Sequence, residues 1–229
     1  WNNLTNTGLG NHNTMHQAHP IKKGNKTVIT KWFRERNGEE IFRKEPSLSV
    51  TNYTDRGFKK AELDKTLFSE IIHFYSQNKN DKKREHIDGN FVYIPGSKEE
   101  ASKLIELPRE LKEKVHTTLK EPLEKWSNIS LDATFVYGIR VYQEGAVLVP
   151  HRDREETHII SAIINIDQEI NEDWPLIIED HLYRKHELTL KPGEVLYYES
   201  AKLLHGRPIP LNGKSFANIF CHFMPAKDS

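Results

Sequence analysis

The stretch "VPHRDREETHIISAIINI", Val149–Ile166, joins a histidine and an aspartate spaced two apart to an isoleucine-rich run. Residues i and i+2 of a strand point to the same face, so a strand ending at His151 can present His151 and Asp153 together, with Arg152 on the other face. Around this stretch lie short runs rich in Val, Ile, Tyr and Phe: "ATFVYGIRVYQ", "AVLVPH", "PLIIED", "HELTL", "EVLYYES" and "SFANIFCHF". "QEG", "KPGE" and "LNGK" separate them as turns. Strands at this spacing imply a mainly β domain, a jelly roll or double-stranded β-helix, with helices packed outside it.

Two helical patterns precede the strands. "KKAELDKTLFSEIIHFYSQNK", Lys59–Lys79, spaces Leu63, Leu67, Ile71 and Phe74 at helical intervals. "PRELKEKVHTTLKEPLEKW", from Pro108, carries Leu111, Val115 and Leu119 on one face; Pro108 suits a first turn, and Pro122 is expected to kink or break the helix. The charged run "NKNDKKRE" between them reads as a solvated loop.

The chain has 229 residues, room for one sizeable core with an appendage. Lys plus Arg and Asp plus Glu number 33 each, so the formal net charge is zero and no charge excess points to nucleic acid or an anionic membrane. Mean hydropathy is −0.70 and no apolar run nears the roughly 20 residues of a membrane span. The lone Cys221 excludes an internal disulfide and leans slightly towards a cytoplasmic setting. The chain opens at Trp1 rather than Met, as expected of a processed product or a piece of a longer chain.

"HQAHPIKKGNKTVITKWF", from His16, matches "HGRPIPLNGKSFANIFCHF", from His205, in its histidine, proline, Gly-(Asn)-Lys and closing aromatic strand. Residues 1–45 are therefore expected to be the C-terminal tail of an upstream sister domain, and residues 46–229 the domain proper.

His-Arg-Asp invites a kinase reading, but the required Asn five residues on is His158, and no Gly-rich phosphate loop or Asp-Phe-Gly occurs. A facial triad of two histidines and one carboxylate, which leaves open positions on Fe(II), fits better. His205 lies 52 residues past Asp153, far enough for the chain to circle a barrel and return. Nine residues later Lys214 opens the last strand; projecting inward, it would need a counter-anion such as the distal carboxylate of a 2-oxo acid.

His151-x-Asp153, His205 and Lys214, in this order on strands, resemble the Fe(II)- and 2-oxoglutarate-dependent dioxygenases of the prolyl 4-hydroxylase-like branch, over residues 55–226. "TMHQAHPIKKGNKTVITKWFRE" resembles the C-terminal signature of that branch, with His16 and Lys26 matching the iron ligand and the lysine. The resemblance implies Fe(II), 2-oxoglutarate and O2 as cofactor and cosubstrates, ascorbate as a further candidate, release of succinate and CO2, and hydroxylation of a protein or peptide residue, proline foremost. It implies His151, Asp153 and His205 as metal ligands, and Lys214 and Tyr142 as cosubstrate residues, with Gly145 in the same segment. Leu148 replaces a usual tyrosine, "DWPLIIED" replaces a Gly-Gly-x-Thr strand, and Phe220 stands where close relatives have the tryptophan that Trp32 matches in the repeat. Arg140, Trp174 and Arg207 are candidates for a substrate groove; His158, His181 and His186 read as surface or supporting residues. Two other readings remain: a catalytically weak module gripping proline-rich or extended peptides, and a cupin-like enzyme using another metal without 2-oxoglutarate.

Overall fold

A computed structural model describes Lys23, residues 50–85, Ile87 and residues 91–227. The expected sister-domain tail over residues 1–45, with His16, Lys26 and Trp32, lies outside the described residues apart from Lys23.

The strands form two antiparallel sheets facing each other, with two helices outside the larger. In chain order the elements are β1 (Phe58–Glu62), α1 (Lys65–Asn78), β2 (Lys83–Arg84), β3 (Val92–Tyr93), β4 (Ser102–Ile105), α2 (Arg109–Ser127), β5 (Leu131–Gln143), β6 (Val147–His151), β7 (Ile160–Ile170), β8 (Leu176–Glu179), β9 (Lys185–Leu188), β10 (Glu194–Tyr198), β11 (His205–Arg207) and β12 (Gly213–Pro225). The major sheet runs β1-β10-β7-β12-β5-β4-β2 and the minor sheet β3-β6-β11-β8-β9.

The isoleucine run of β7 has both faces buried, which explains its lack of polar alternation. Ile164, with Ile219 and Cys221 of β12, packs against Leu67 and Ile71 of α1 and Val115, Leu119 and Leu123 of α2. Ile163, with Phe216 and Phe220, faces inward and meets Leu176, Ile178 and Tyr198 between the sheets. The fold is thus a jelly roll whose helices cover one outer face, as expected.

Two local expectations are corrected. Residues 58–62 form a strand rather than the first turn of a helix, because pairing with β10, from Phe58 against Tyr198 to Glu62 against Glu194, outweighs local helical spacing. The helix starts later, where the Asp64 side chain caps the Leu67 amide at 2.9 Å. Pro122 sits inside α2 without ending it; the helix stops at Asn128, whose φ of 56° is a left-handed cap.

One glycine sets the spacing of the minor sheet at the site. A Cβ on Gly206 would lie 2.7 Å from the Pro150 backbone and 2.8 Å from the Leu148 carbonyl. Its absence lets β11 approach β6 closely enough to set His205 opposite His151.

Candidate metal centre and its anion pocket

His151 ends β6, Asp153 follows it, and β11 opens on His205; the paired strands bring together one ligand atom from each within 4.8 Å. The Asp153 carboxylate is the hub: its Oδ1 is 3.5 Å from His151 Nε2 and 3.9 Å from His205 Nε2. Both gaps are shorter than two metal–ligand bonds of roughly 2.1 Å, so one ion can bridge the carboxylate to either imidazole.

The backbone fixes which nitrogen faces the ion. His151 Nδ1 lies 2.7 Å from the Val149 carbonyl and His205 Nδ1 2.9 Å from that of Leu203. A carbonyl only accepts, so both Nδ1 atoms carry the proton and both Nε2 lone pairs are left for a metal. Tyr198 supports the third ligand, its hydroxyl donating at 3.5 Å to Asp153 Oδ2, away from the ligating oxygen.

Protonation matches this arrangement. Burial opposes ionisation of Asp153, but the adjacent His151, His205 and His222 outweigh it and hold the carboxyl far below its ordinary range. Burial, with repulsion from His151, pulls His205 down to about 4 against the attraction of Asp153. Burial likewise takes His222 to about 3. At neutral pH the hub is anionic while His205 and His222 are neutral.

A pH dependence of stability follows for the metal-free protein. Both histidines titrate lower in the folded chain than the roughly 6.5 of an exposed imidazole, so between those values the unfolded chain binds protons that the folded one does not. Their stabilising contribution is therefore present above about pH 6.5 and is lost on acidification towards the folded values. Urea unfolding of metal-free protein is expected to lose about 2–4 kcal/mol between pH 7 and pH 5. Replacing His222 with Phe is expected to flatten that slope.

The triad opens into a cavity of about 340 Å³ between the sheets. Arg207, two residues from His205 on β11, lines it with only 1% of its surface exposed. Its guanidinium lies over the rings of both Trp174 and Phe216, 4.7 and 4.6 Å from their centroids, in the corner that the two edge-on rings form. Nη1 donates to the Trp174 carbonyl, whereas the buried Nη2 has no hydrogen-bond partner among the described residues. Burial lowers this group to about 10, which leaves it charged at neutral pH. The Tyr142 hydroxyl, also on the cavity wall, is likewise buried without a hydrogen-bond partner among the described residues. A buried guanidinium with no carboxylate among its described partners, beside a buried hydroxyl, is a costly arrangement that a carboxylate would satisfy.

Arg140, across the cavity, is already satisfied. Glu85 takes its Nε at 2.8 Å and its Nη2 at 2.7 Å, and accepts from Ser102 at 2.6 Å as well. Burial would lower Arg140, but the neighbouring Tyr142 and Glu85 outweigh it and keep the guanidinium well above the ordinary arginine value.

Three placements differ from expectation. Lys214 does not enter the barrel: its side chain is 77% exposed and its ammonium pairs with Glu169 at 3.1 Å. The register of β12 against β7 shifts between Gly213 and Ser215, and this irregularity leaves Lys214 outside. Trp174 is buried behind Arg207 rather than on a groove, its Nε1 donating to the Ile209 carbonyl at 2.6 Å. Arg152 contributes to the cavity wall, its Nε donating to the Lys202 carbonyl at 3.0 Å.

His158 is buried and lines the cavity, as do Tyr198, Asn218 and His222, which sequence reasoning missed. Asn218, Phe220 and His222 alternate along β12, a period-two signal that marks one face without saying which face is inside. His181 and His186 pair instead with Glu199 and Asp180, at 3.1 and 2.9 Å.

Fold and triad together define a jelly-roll protein with a candidate two-histidine, one-carboxylate centre, and the fold is that of the prolyl 4-hydroxylase-like 2-oxoglutarate oxygenases. Among solved structures, a prolyl-4-hydroxylase from Pseudomonas putida is similar with a TM-score of 0.55 and 11% identity, over 75% of this chain and 94% of that one. A Trichoplax adhaerens prolyl hydroxylase, in complex with a hypoxia inducible factor peptide fragment, matches with a TM-score of 0.54 and 13% identity, over 74% of this chain and 84% of that one. HygX from Streptomyces hygroscopicus, with nickel, 2-oxoglutarate and hygromycin B bound, matches at 0.53 and 13%, over 75% and 84%. No protein-family model matches the chain, and no curated protein matches it in sequence. No helix among the described residues is long and apolar enough to cross a membrane.

Proposed function

We propose that the protein is an Fe(II)- and 2-oxoglutarate-dependent oxygenase that hydroxylates a residue, proline foremost, in a protein or peptide, releasing succinate and CO2. The observation that carries this reading is the triad and the buried Arg207 guanidinium lining one cavity, a candidate metal centre beside a buried cation whose Nη2 has no described partner. His151, Asp153 and His205 would hold the iron, and Arg207 with Tyr142 would take the distal carboxylate of the cosubstrate, the role first expected of Lys214. The metal, when bound, supplies activation of O2 coupled to decarboxylation of the 2-oxo acid.

The chain's own residues orient and exclude water. Nδ1–H donation to backbone carbonyls holds both imidazoles in the ligating tautomer. Phe220 and Ile163 on the cavity wall, and Phe216 against Arg207, keep the surroundings apolar, which strengthens the pairing of a carboxylate with Arg207. Ascorbate would serve only to keep the iron reduced. The peptide substrate is favoured by the Trichoplax likeness, whose partner is a peptide.

The test is to add Fe(II) and 2-oxoglutarate anaerobically and record the visible charge-transfer band of a chelated 2-oxo acid. Admission of O2 with a pool of proline-containing peptides should then yield succinate and a peptide heavier by one oxygen atom. Folded protein that binds Fe(II) but develops no band and makes no succinate would favour a peptide-binding module or an enzyme using another cosubstrate.

A further inference from the structure

We propose that His222 holds the substrate, its Nε2 atom accepting a hydrogen bond from a backbone amide N–H of an extended peptide entering the cavity. This rests on the oxygenase reading above and names the contact that would orient its substrate.

A proton count through a buried chain of side chains leads to it. Ser200 Oγ donates to the His158 carbonyl at 2.7 Å, and a carbonyl can only accept. The one hydroxyl proton of Ser200 is thereby used, so Ser161 must donate across the 2.6 Å contact between the two hydroxyls. Ser161 then has only lone pairs to offer His222 Nδ1 at 2.7 Å, and the proton of that bond belongs to the imidazole. A neutral imidazole with its proton on Nδ1 carries a bare lone pair on Nε2.

That lone pair is held in place and without a donor. Ser161, Ser200 and His222 are each at least 97% buried, and the ring lies against His158 with centroids 3.7 Å apart. No donor among the described residues reaches Nε2, yet the ring lines the same cavity as the triad. The chain that fixes His222 also fixes the metal ligand, since the Asp153 amide donates to the Ser200 carbonyl at 3.0 Å. Acceptor and metal centre are thus braced by one residue, Ser200.

The approach to His222 is aromatic. Tyr137 meets it edge-on at 5.8 Å, and Phe135, next on that face of β5 and 46% exposed, packs edge-on against Tyr137 at 4.5 Å. Such faces suit a ring like that of proline and offer no counter-charge to a cation. The carboxylate of Glu85 is already taken by Arg140 and Ser102. An uncharged donor fits best, and because a peptidyl proline has no N–H, the donor would be the amide of a neighbouring residue.

Two measurements test this. In zinc-loaded protein, nitrogen-15 NMR of the histidine rings should show His222 protonated on Nδ1 and bare on Nε2; the opposite tautomer overturns the proposal. The second compares His222→Asn with His222→Gln, using a pool of proline-containing octapeptides and cobalt absorption as a check of the folded triad. Asparagine retains a donor near the Nδ1 position and lacks the outer acceptor; glutamine places an amide oxygen near Nε2 and gives up the bond to Ser161. Expected is a KM for peptide raised about tenfold in His222→Asn and a value within about threefold of the parent in His222→Gln. The reverse ranking would mean that His222 only braces the fold and would overturn the assignment. Succinate formation with no peptide modified overturns the peptide contact but leaves the oxygenase standing; absence of both band and succinate removes both.

Discussion

Asp153→Ala is expected to abolish stoichiometric metal binding, lowering affinity for Fe(II) or Co(II) by at least about a hundredfold while the protein stays folded. The carboxylate is the only anionic member of the triad, and its Oδ1 faces both Nε2 atoms. Its loss leaves two neutral imidazoles to hold a divalent cation, and the removed interactions include the charge-assisted ones. Structural damage should be slight, because the Asp153 amide still donates to Ser200 and the Tyr198 hydroxyl loses only one long contact. Isothermal titration with Co(II), beside thermal unfolding of the metal-free variant, checks both halves. Retained tight binding in a folded variant would place the metal elsewhere.

The second large effect separates two cations. Arg207→Met keeps an unbranched side chain against Trp174 and Phe216 but removes the guanidinium; 2-oxoglutarate affinity is expected to fall about a hundredfold or more, with metal affinity retained. The size follows from removing one partner of a buried charged pair, which leaves the other unsatisfied and costs about 3 kcal/mol or more. Lys214→Ala, by contrast, removes an exposed ion pair with Glu169 and should leave that affinity within about twofold. Titration of the charge-transfer band with 2-oxoglutarate reads both variants. The opposite outcome, loss in Lys214→Ala alone, would return the anchoring role to the lysine.

The contrast between these cations shows where sequence was sufficient. His151 and Asp153 were legible because strand parity puts i and i+2 on one face, and His205 because a barrel must bring a later strand back beside an earlier one. The jelly roll itself showed in the evenly punctuated apolar runs. Lys214 misled because an irregularity of one residue at the start of β12 decides whether its side chain points in or out, and local sequence carries no mark of that. Arg207 follows a Gly and precedes a Pro in what looks like a rim segment; only the Trp174 and Phe216 rings, remote in sequence, bury it. His222 was hidden for another reason: its significance lies in a proton count that passes through Ser161 and Ser200, 61 and 22 residues away. The start of α1 was misplaced because the Leu63 and Leu67 spacing is helical, while β10 supplies a competing partner that local periodicity cannot register.

The three-residue strand β11 carries His205 at one end and Arg207 at the other, with Gly206 between them pressed against Pro150. In the proposed site this short segment acts as a gauge. Two residues of extended chain advance roughly 6.6 Å, so the offset between the backbone anchor of the metal ligand and that of the cation is set by peptide geometry. A 2-oxo acid with a second carboxylate at the matching reach would satisfy both ends. One ending in a methyl group, such as pyruvate, would leave the guanidinium dry and unpaired, and a site that rejects by an unpaired polar group discriminates more sharply than one that rejects by shape alone.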